Sequence, residues 1–338
     1  MDIYPNRSND LVVNTKSATK HVLWALLKRE SPYFREFVSQ DSSGCILFPW
    51  DAEYDIETKI LTSNHSSGFG ANLTSLLGPL IYLARGNIFP REIATAGGFK
   101  NFCDQSSLRP LAQLFSKTNL LQTHQELAAL GEYVYYVNYF GRFRNLHFDK
   151  LLCTVLRLYF RPLQALIDET DQFFVGRNVD SSNCLSVFIR GTDGAKGDVD
   201  AICTLARNYV LRNGEMTVLL HTDDLSVAQR ALSRMSDLRV IVCDLLPLKP
   251  SNFNQQHLQP GLSPSEAGKR ALITLLIMAK SKFLVVGSGQ FSLWAVLLRG
   301  NTQGVFQFVA GGQQENVVYV RLLYWLVKVC RPELVLLQ

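Results

Sequence analysis

The sequence predicts an α/β protein of two domains, the second built on a parallel sheet, and three observations carry that expectation. The chain has 338 residues, more than a single hydrophobic core usually fills. From residue 185 onward, continuous apolar runs alternate with amphipathic stretches of helical spacing, the pattern of a parallel sheet covered on both faces. The composition, 47% hydrophobic and 19% charged, is that of an ordinary folded chain.

Taken in order, the first half is the less regular. ATKHVLWALLKR (18–29) has helical spacing, and CILF (45–48) and TKILT (58–62) are strand-like. A helix is expected from Ala71 to Ala84, another over RPLAQLFSK (109–117), and a third from Asp149 to about Asp171, interrupted at Pro162. FVGRNVDSSN (174–183) is polar and rich in turn formers, so the boundary is set there: one unit over 1–175, a second over 176–338.

The second unit alternates strictly. LSVFIR (185–190), MTVLLH (216–221), LRVIVC (238–243), KFLVVG (282–287) and GVFQFV (304–309) read as strands. Between them DAICTLARNYVLRN (200–213), LSVAQRALSRM (225–235), SPSEAGKRALITLLIMAK (263–280) and a short stretch from Phe291 read as helices. A final helix, NVVYVRLLYWLVKV (316–329), is expected to pack between the units. Ligands of such sheets bind beyond the C-terminal ends of the strands.

Net charge is only +5, and the basic residues are scattered without a block that would neutralise a run of nucleic-acid phosphates. A small anionic ligand fits this balance better. No signal-peptide pattern is read at MDIYPNRSND, and the longest apolar run, Ala271 to Ala279, is about half a membrane span and closes at Lys280. The seven cysteines show no CxxC spacing and read as buried reduced thiols. Sequons at Asn6, Asn64 and Asn72 are about as frequent as chance gives, so they do not establish secretion.

Three strand-exit loops carry candidate chemistry. In FIRGTDGAKGD (188–198), Arg190 leaves a buried strand with a guanidinium whose fork fits phosphate oxygens, and Gly191, Gly194 and Gly197 let backbone approach a ligand; a plain glycine-rich surface turn is the alternative. HTDD (221–224) is an acidic pair that equally suits helix capping by Thr222 or Asp223, so no metal is assigned to it. In VGSGQFSLWAVLLRGN (286–301), Ser288, Gly289, Gln290, Phe291 and Ser292 open a helix whose first N–H groups suit an anion. In the first half NHSSGFGANL places Gly68, Phe69, Gly70 and Asn72 at a helix start, without the Lys-Ser/Thr of a P-loop.

These residues carry a resemblance. FIRGTDGAKGD resembles the H-x-R-x-T-D motif of the alpha-1,2-, alpha-1,6- and protein O-fucosyltransferases, with Phe188 where histidine is common, Arg190 at the essential arginine and Asp193 at the aspartate. MTVLLHTDD is similar to the family's next strand and T-D-D turn, which brings in His221, Thr222 and Asp223; VIVCD puts Asp244 where some members hold guanine. VVGSGQFS and GFGANL resemble the family's serine-rich and glycine-rich loops.

The resemblance implies the GT-B fold, two Rossmann-like domains facing a cleft, with the acceptor read by the first and the nucleotide sugar by the second. It implies inverting, metal-independent transfer of L-fucose from GDP-fucose to a hydroxyl of a glycan or glycoprotein, with no cofactor beyond the donor. Arg190 and the 288–292 loop would neutralise the leaving diphosphate, and Asp198, eight residues beyond the arginine, would be the general base, with Asp200 a near alternative. Phe188 and Gly191 depart from the alpha-1,6 enzymes, which leaves a UDP-sugar such as a xylose donor open. A non-catalytic carbohydrate- or nucleotide-binding module is the other alternative. A dehydrogenase is disfavoured because no G-x-G-x-x-G follows a strand.

Overall fold

Short apolar runs separated by a few polar residues favour hairpins, and the first half opens as a meander of them. The computed structural model describes residues 39–40, 44–48, 52–65, 67–95, 99–104, 110–116, 143, 146, 148, 150–191, 198–246, 248, 261–287 and 289–308. Strands β1 (Ser39–Gln40), β2 (Ile46–Phe48), β3 (Ala52–Asp55) and β4 (Ile60–Ser63) pair antiparallel in that order. The turn from β3 to β4 closes on Asp55, whose carboxylate accepts from Glu57 N at 2.8 Å and from the Thr58 hydroxyl at 2.7 Å.

After β4 the chain needs a crossover, and α1 (Phe69–Arg85) supplies it before β5 (Glu92–Ala94) pairs parallel to β4. Helix α1 is apolar nearly all round, and Leu73, Leu76, Leu77 and Leu80 are fully buried, as a helix covered on every side must be. The first sheet is thus a hairpin meander ending in one βαβ unit, more antiparallel than the doubly wound sheet expected of this half.

The helix expected over 109–117 is instead a 3-10 turn, Pro110–Gln113, followed by β6 (Phe115–Ser116). Tertiary pairing outweighs the helical spacing. Pro162 disfavours helix at Arg161, so the long helix expected after Asp149 breaks into α2 (Lys150–Tyr159), β7 (Arg161–Pro162) and α3 (Gln164–Gly176), and β7 pairs with β6.

The second half follows its sequence pattern closely. It runs β8 (Cys184–Ile189), α4 (Val199–Asn213), β9 (Thr217–Thr222), α5 (Leu225–Arg234), β10 (Val240–Val242), α6 (Pro264–Lys280), β11 (Phe283–Gly287), α7 (Gln290–Arg299) and β12 (Val305–Phe308). The five strands are all parallel in the order β10-β9-β8-β11-β12. Alternation sorts the two faces: Leu185, Val187, Ile189, Val218 and Leu220 pack with α4 and α5, while Cys184, Phe188, Leu219, Leu284 and Val286 pack with α6 and α7. The second face shares one apolar core with α1, α2, α3 and the first sheet.

The segment expected as a boundary is a turn between α3 and β8, with Asn178 in the left-handed region at φ 50° and Asp180 capping Ser182 N at 2.8 Å. Arg299 ties α7 to the end of α6, donating to Ala279 O at 3.1 Å, to Lys282 O at 2.6 Å and to Ser281 O. Of the six described cysteines, Cys103, Cys184, Cys203 and Cys243 are buried thiols and Cys153 is exposed. No helix among the described residues is long and apolar enough to cross a membrane. The helices expected over 18–29 and 316–329 lie outside the described residues.

Candidate functional site

The strand order reverses between β8 and β11. The chain passes from β8 outward to β9 and β10, then returns through α6 to β11 on the other side. Such a reversal leaves a crevice at the C-terminal strand ends, because the flanking helices leave in opposite directions. The residues that end β8 and β11 therefore define the candidate site.

Arg190 follows β8 and is half-buried. Its Nη1 lies 3.8 Å from where a Cβ on Gly289 would stand, so the guanidinium reaches from the β8 exit across to the β11 exit. The ring of Phe188 meets that of Phe291 at 5.3 Å between centroids, joining the same two exits one layer deeper.

The β8 and β9 loops are clamped together. Gly191 N donates to Asp223 Oδ1 at 3.0 Å, and a Cβ on Gly191 would stand 2.1 Å from Asp224 Cβ. Only glycine fits that approach. Asp224, and neither Thr222 nor Asp223 as expected, is the N-cap of α5, accepting from Ser226 N at 2.8 Å and Val227 N at 3.1 Å. Asp223 is thus the acidic residue that shapes the loop behind Arg190.

Helix α7 starts at this crevice, and so does α1. A Cβ on Gly70 would lie 2.7 Å from Phe291 N and 2.8 Å from Gln290 C, so the two helix N-termini meet backbone to backbone. Neither has a side-chain cap: their N-cap positions are Gly68 and Gly289. By contrast α4, α5 and α6 are capped by Asp198, Asp224 and Ser263. Two uncapped helix N-termini present positive dipole ends and first-turn N–H groups beside a guanidinium, a setting suited to an anion. Asn72 holds the α1 loop by accepting from Ser67 N at 2.9 Å and donating to Ser67 O at 3.2 Å.

The structure brings together Arg190, Gly289, Gln290, Phe291, Gly70 and, through Gly191, Asp223. It does not bring every expected residue to a ligand. Phe69 is buried against Phe99 and Phe102, with centroids at 6.2 and 5.3 Å; Asn72, Thr222 and Ser292 are buried, so their parts are internal. Ser288 and Asp193 lie outside the described residues.

His221, expected at the donor, points into the core instead, because strand alternation puts it on the α6 face with Ser186. Ser281 Oγ donates to Ile277 O at 2.8 Å and stands 2.8 Å from Ser186 Oγ, which is 3.2 Å from His221 Nε2. With the Ser281 proton committed, Ser186 donates to Ser281 and the imidazole must donate from Nε2. Nδ1 is then an unpaired buried acceptor. Burial pushes the imidazole pKa down to about 3, so the ring is neutral.

Asp198 is exposed and caps α4 through Ala201 N at 3.1 Å. Asp200 is gripped by Arg230 at 2.6 Å and Arg234 at 2.9 Å, and bonds from these guanidiniums hold its carboxyl down at about 2. That makes Asp200 a poor proton acceptor. Asp244 is exposed at the end of the edge strand β10, ion-paired with Arg177 at 2.7 Å, rather than buried in the crevice. Among the described residues no cluster of three or more His, Cys, Asp or Glu side chains could hold a metal ion. The sequence reading missed Thr74, Trp294 and Arg177. Only the four-residue spacing of Gly70 with Thr74 and of Gln290 with Trp294 signalled that the first pair and the second each share a helix face.

No protein-family model matches the chain, and no curated protein matches it in sequence. Among solved structures, the apo form of POFUT1 is similar over 48% of this chain and 50% of its own, at 11% identity and a TM-score of 0.32. NodZ alpha-1,6-fucosyltransferase soaked with GDP-fucose is similar over 71% of this chain and 91% of its own, at 12% identity and a TM-score of 0.42. The chain spans about half the length of POFUT1. With both TM-scores under 0.5, the α/β assignment rests on the chain's own sheet order.

Proposed function

We propose that the chain is an inverting glycosyltransferase of GT-B type that binds the diphosphate of a nucleotide sugar at the β8/β11 crevice. GDP-fucose is the donor and a hydroxyl of a glycan or glycoprotein the acceptor. The observation that carries the reading is the meeting of Arg190 with two uncapped, glycine-started helices at the point where the strand order reverses. The motif resemblance of residues 188–198, 216–224 and 286–292 supports it independently.

In this reading Arg190 grips the diphosphate with two parallel N–H bonds, and the first-turn amides of α7 and α1 face the remaining phosphate oxygens. Negative charge grows on the leaving diphosphate as the glycosidic bond breaks, and these fixed donors stabilise it most at that stage. The acceptor hydroxyl attacks the anomeric carbon from the opposite face, and Asp198 takes its proton.

The test is Arg190→Ala, assayed for release of GDP from GDP-fucose in the presence of acceptor. Loss of the bidentate contact should cost at least about 3 kcal/mol in the transition state, more than a hundredfold in rate, while the unfolding midpoint stays within a few degrees. Retention of half the wild-type rate removes Arg190 from this role.

A second reading, a binding module without transferase chemistry, is favoured by one observation: both candidate bases are already engaged, Asp198 as a cap and Asp200 by two guanidiniums. Tight GDP binding with no GDP released from any nucleotide sugar would select it.

A further inference from the structure

The contact between α1 and α7 is made by a small polar seam inside an otherwise apolar interface. Trp294 is fully buried, and its ring lies 4.8 Å from that of Phe160. Its Nε1–H, which can only donate, bonds to Thr74 Oγ1 at 3.0 Å. Thr74 Oγ1 lies 2.8 Å from Gly70 O and 2.7 Å from Gln290 Oε1. The hydroxyl has one proton. Gly70 O already has the helical N–H of Thr74 as its natural partner four residues on, so the proton serves Gln290 better, and it then holds that side chain by its oxygen.

Residue 290 is the first of α7 and follows Gly289, the position that Arg190 Nη1 approaches. A residue that fixes it therefore fixes where the first turn of α7 sits. We infer that Thr74 and Trp294, with the close approach at Gly70, are positioning residues that hold Gln290 and the first turn of α7 against the start of α1. The first half of the chain is thereby part of the diphosphate site and not merely a wall facing it. This rests on the nucleotide-sugar reading above.

The seam acts through geometry alone. Neither Thr74 nor Trp294 is open to solvent, so neither touches a ligand. Without the hydroxyl, the Gln290 carboxamide and the Trp294 N–H both lose their partner, and the α7 start is free to shift away from α1. A displacement well under 1 Å suffices to weaken a set of converging phosphate bonds, whose strength falls steeply with distance and angle.

The experiment is Thr74→Val with GDP as the probe, affinity measured by calorimetry. Thr74→Ser restores the hydroxyl, and Thr170→Val is the control. Thr170 is buried in α3 and makes the same intrahelical bond, to Leu166 O at 2.7 Å, with no partner on α7. Thr74→Val should weaken GDP about tenfold, Thr74→Ser should return it to within twofold, and Thr170→Val should lower the melting midpoint without changing affinity.

If Thr74→Val does not fold, Trp294→Phe, which removes the N–H together with part of the buried ring, should still weaken GDP severalfold. Wild-type affinity in the variant that folds overturns the inference and leaves the nucleotide-sugar reading standing. No GDP binding by the wild-type chain overturns that reading and the inference with it.

Discussion

Asp244 and Arg177 form a pair that only the structure could join, since they stand 67 positions apart. The reading of Asp244 as the guanine partner requires its carboxylate to accept from N1–H and the exocyclic amine, which uracil cannot offer together. Its exposure and its ion pair with Arg177 mean that guanine must compete with a guanidinium already 2.7 Å away. An exposed pair of this kind is worth about 1 kcal/mol or less, so Arg177 competes only weakly for the carboxylate. GDP should therefore raise the melting midpoint more than UDP, and Asp244→Ala should remove the difference. Equal shifts for the two nucleotides would favour a UDP-sugar donor.

At the same scale, the position of Arg190 at the end of β8 was legible in its sequence because a strand exit is a local feature. The burial of His221 was equally local, set by its two-residue phase with Leu219 inside a run of apolar residues. The match of MTVLLHTDD to a motif drew His221 toward the ligand, against that phase.

Among the helices of the second half, caps separate α7, which starts at the crevice, from α4, α5 and α6. Helices α4, α5 and α6 are closed by Asp198, Asp224 and Ser263, each a polar residue before an amphipathic run. Helix α6 is also placed by a close approach that sequence does not announce. A Cβ on Gly268 would stand 1.9 Å from Phe102 O, so the helix lies directly on the backbone of the 99–104 turn. Alanine gains about 1 kcal/mol over glycine in an open helix, but here the neighbour is backbone and cannot rotate away. Overpacking costs about 1–3 kcal/mol, so Gly268→Ala should be net destabilising by denaturant titration, and a more stable variant would contradict the placement of α6. The misjudged element, 109–117, has helical spacing but pairs as β6 with a strand more than forty residues later; a two-residue strand has no period to read.

For the whole molecule, His221 couples folding to pH. Its pKa is about 6.5 when unfolded and is depressed by burial to about 3 in the fold. The unfolded chain therefore takes up the proton first, and stability present above pH 6.5 is lost as pH falls toward 3, by about 1.4 kcal/mol per pH unit. The carboxylates held down by their partners, Asp55, Asp180, Asp200 and Asp237, lose their stabilisation only near and below their ordinary range. Unfolding free energies measured between pH 6.5 and 4.5 should fall more steeply for the wild-type chain than for His221→Gln, whose amide can take the place of Nε2 as a donor for Ser186 without the titration. Parallel slopes would place the imidazole outside the core.

By itself the sequence determined the second sheet almost residue for residue, the helices that cover it, and the three loops at its strand ends. These follow from patterns of two, 3.6 and four residues, which are local and survive without knowledge of neighbours. Tertiary structure alone decided that β11 returns to the far side of β8, that the first sheet is mostly antiparallel, and that α1 begins against α7. Thr74 and Gln290 are 216 positions apart, and nothing in the pattern around either names the other. Such pairings are chosen by which faces can share one dry core and which backbones can approach at glycine, and both are properties of the assembled chain.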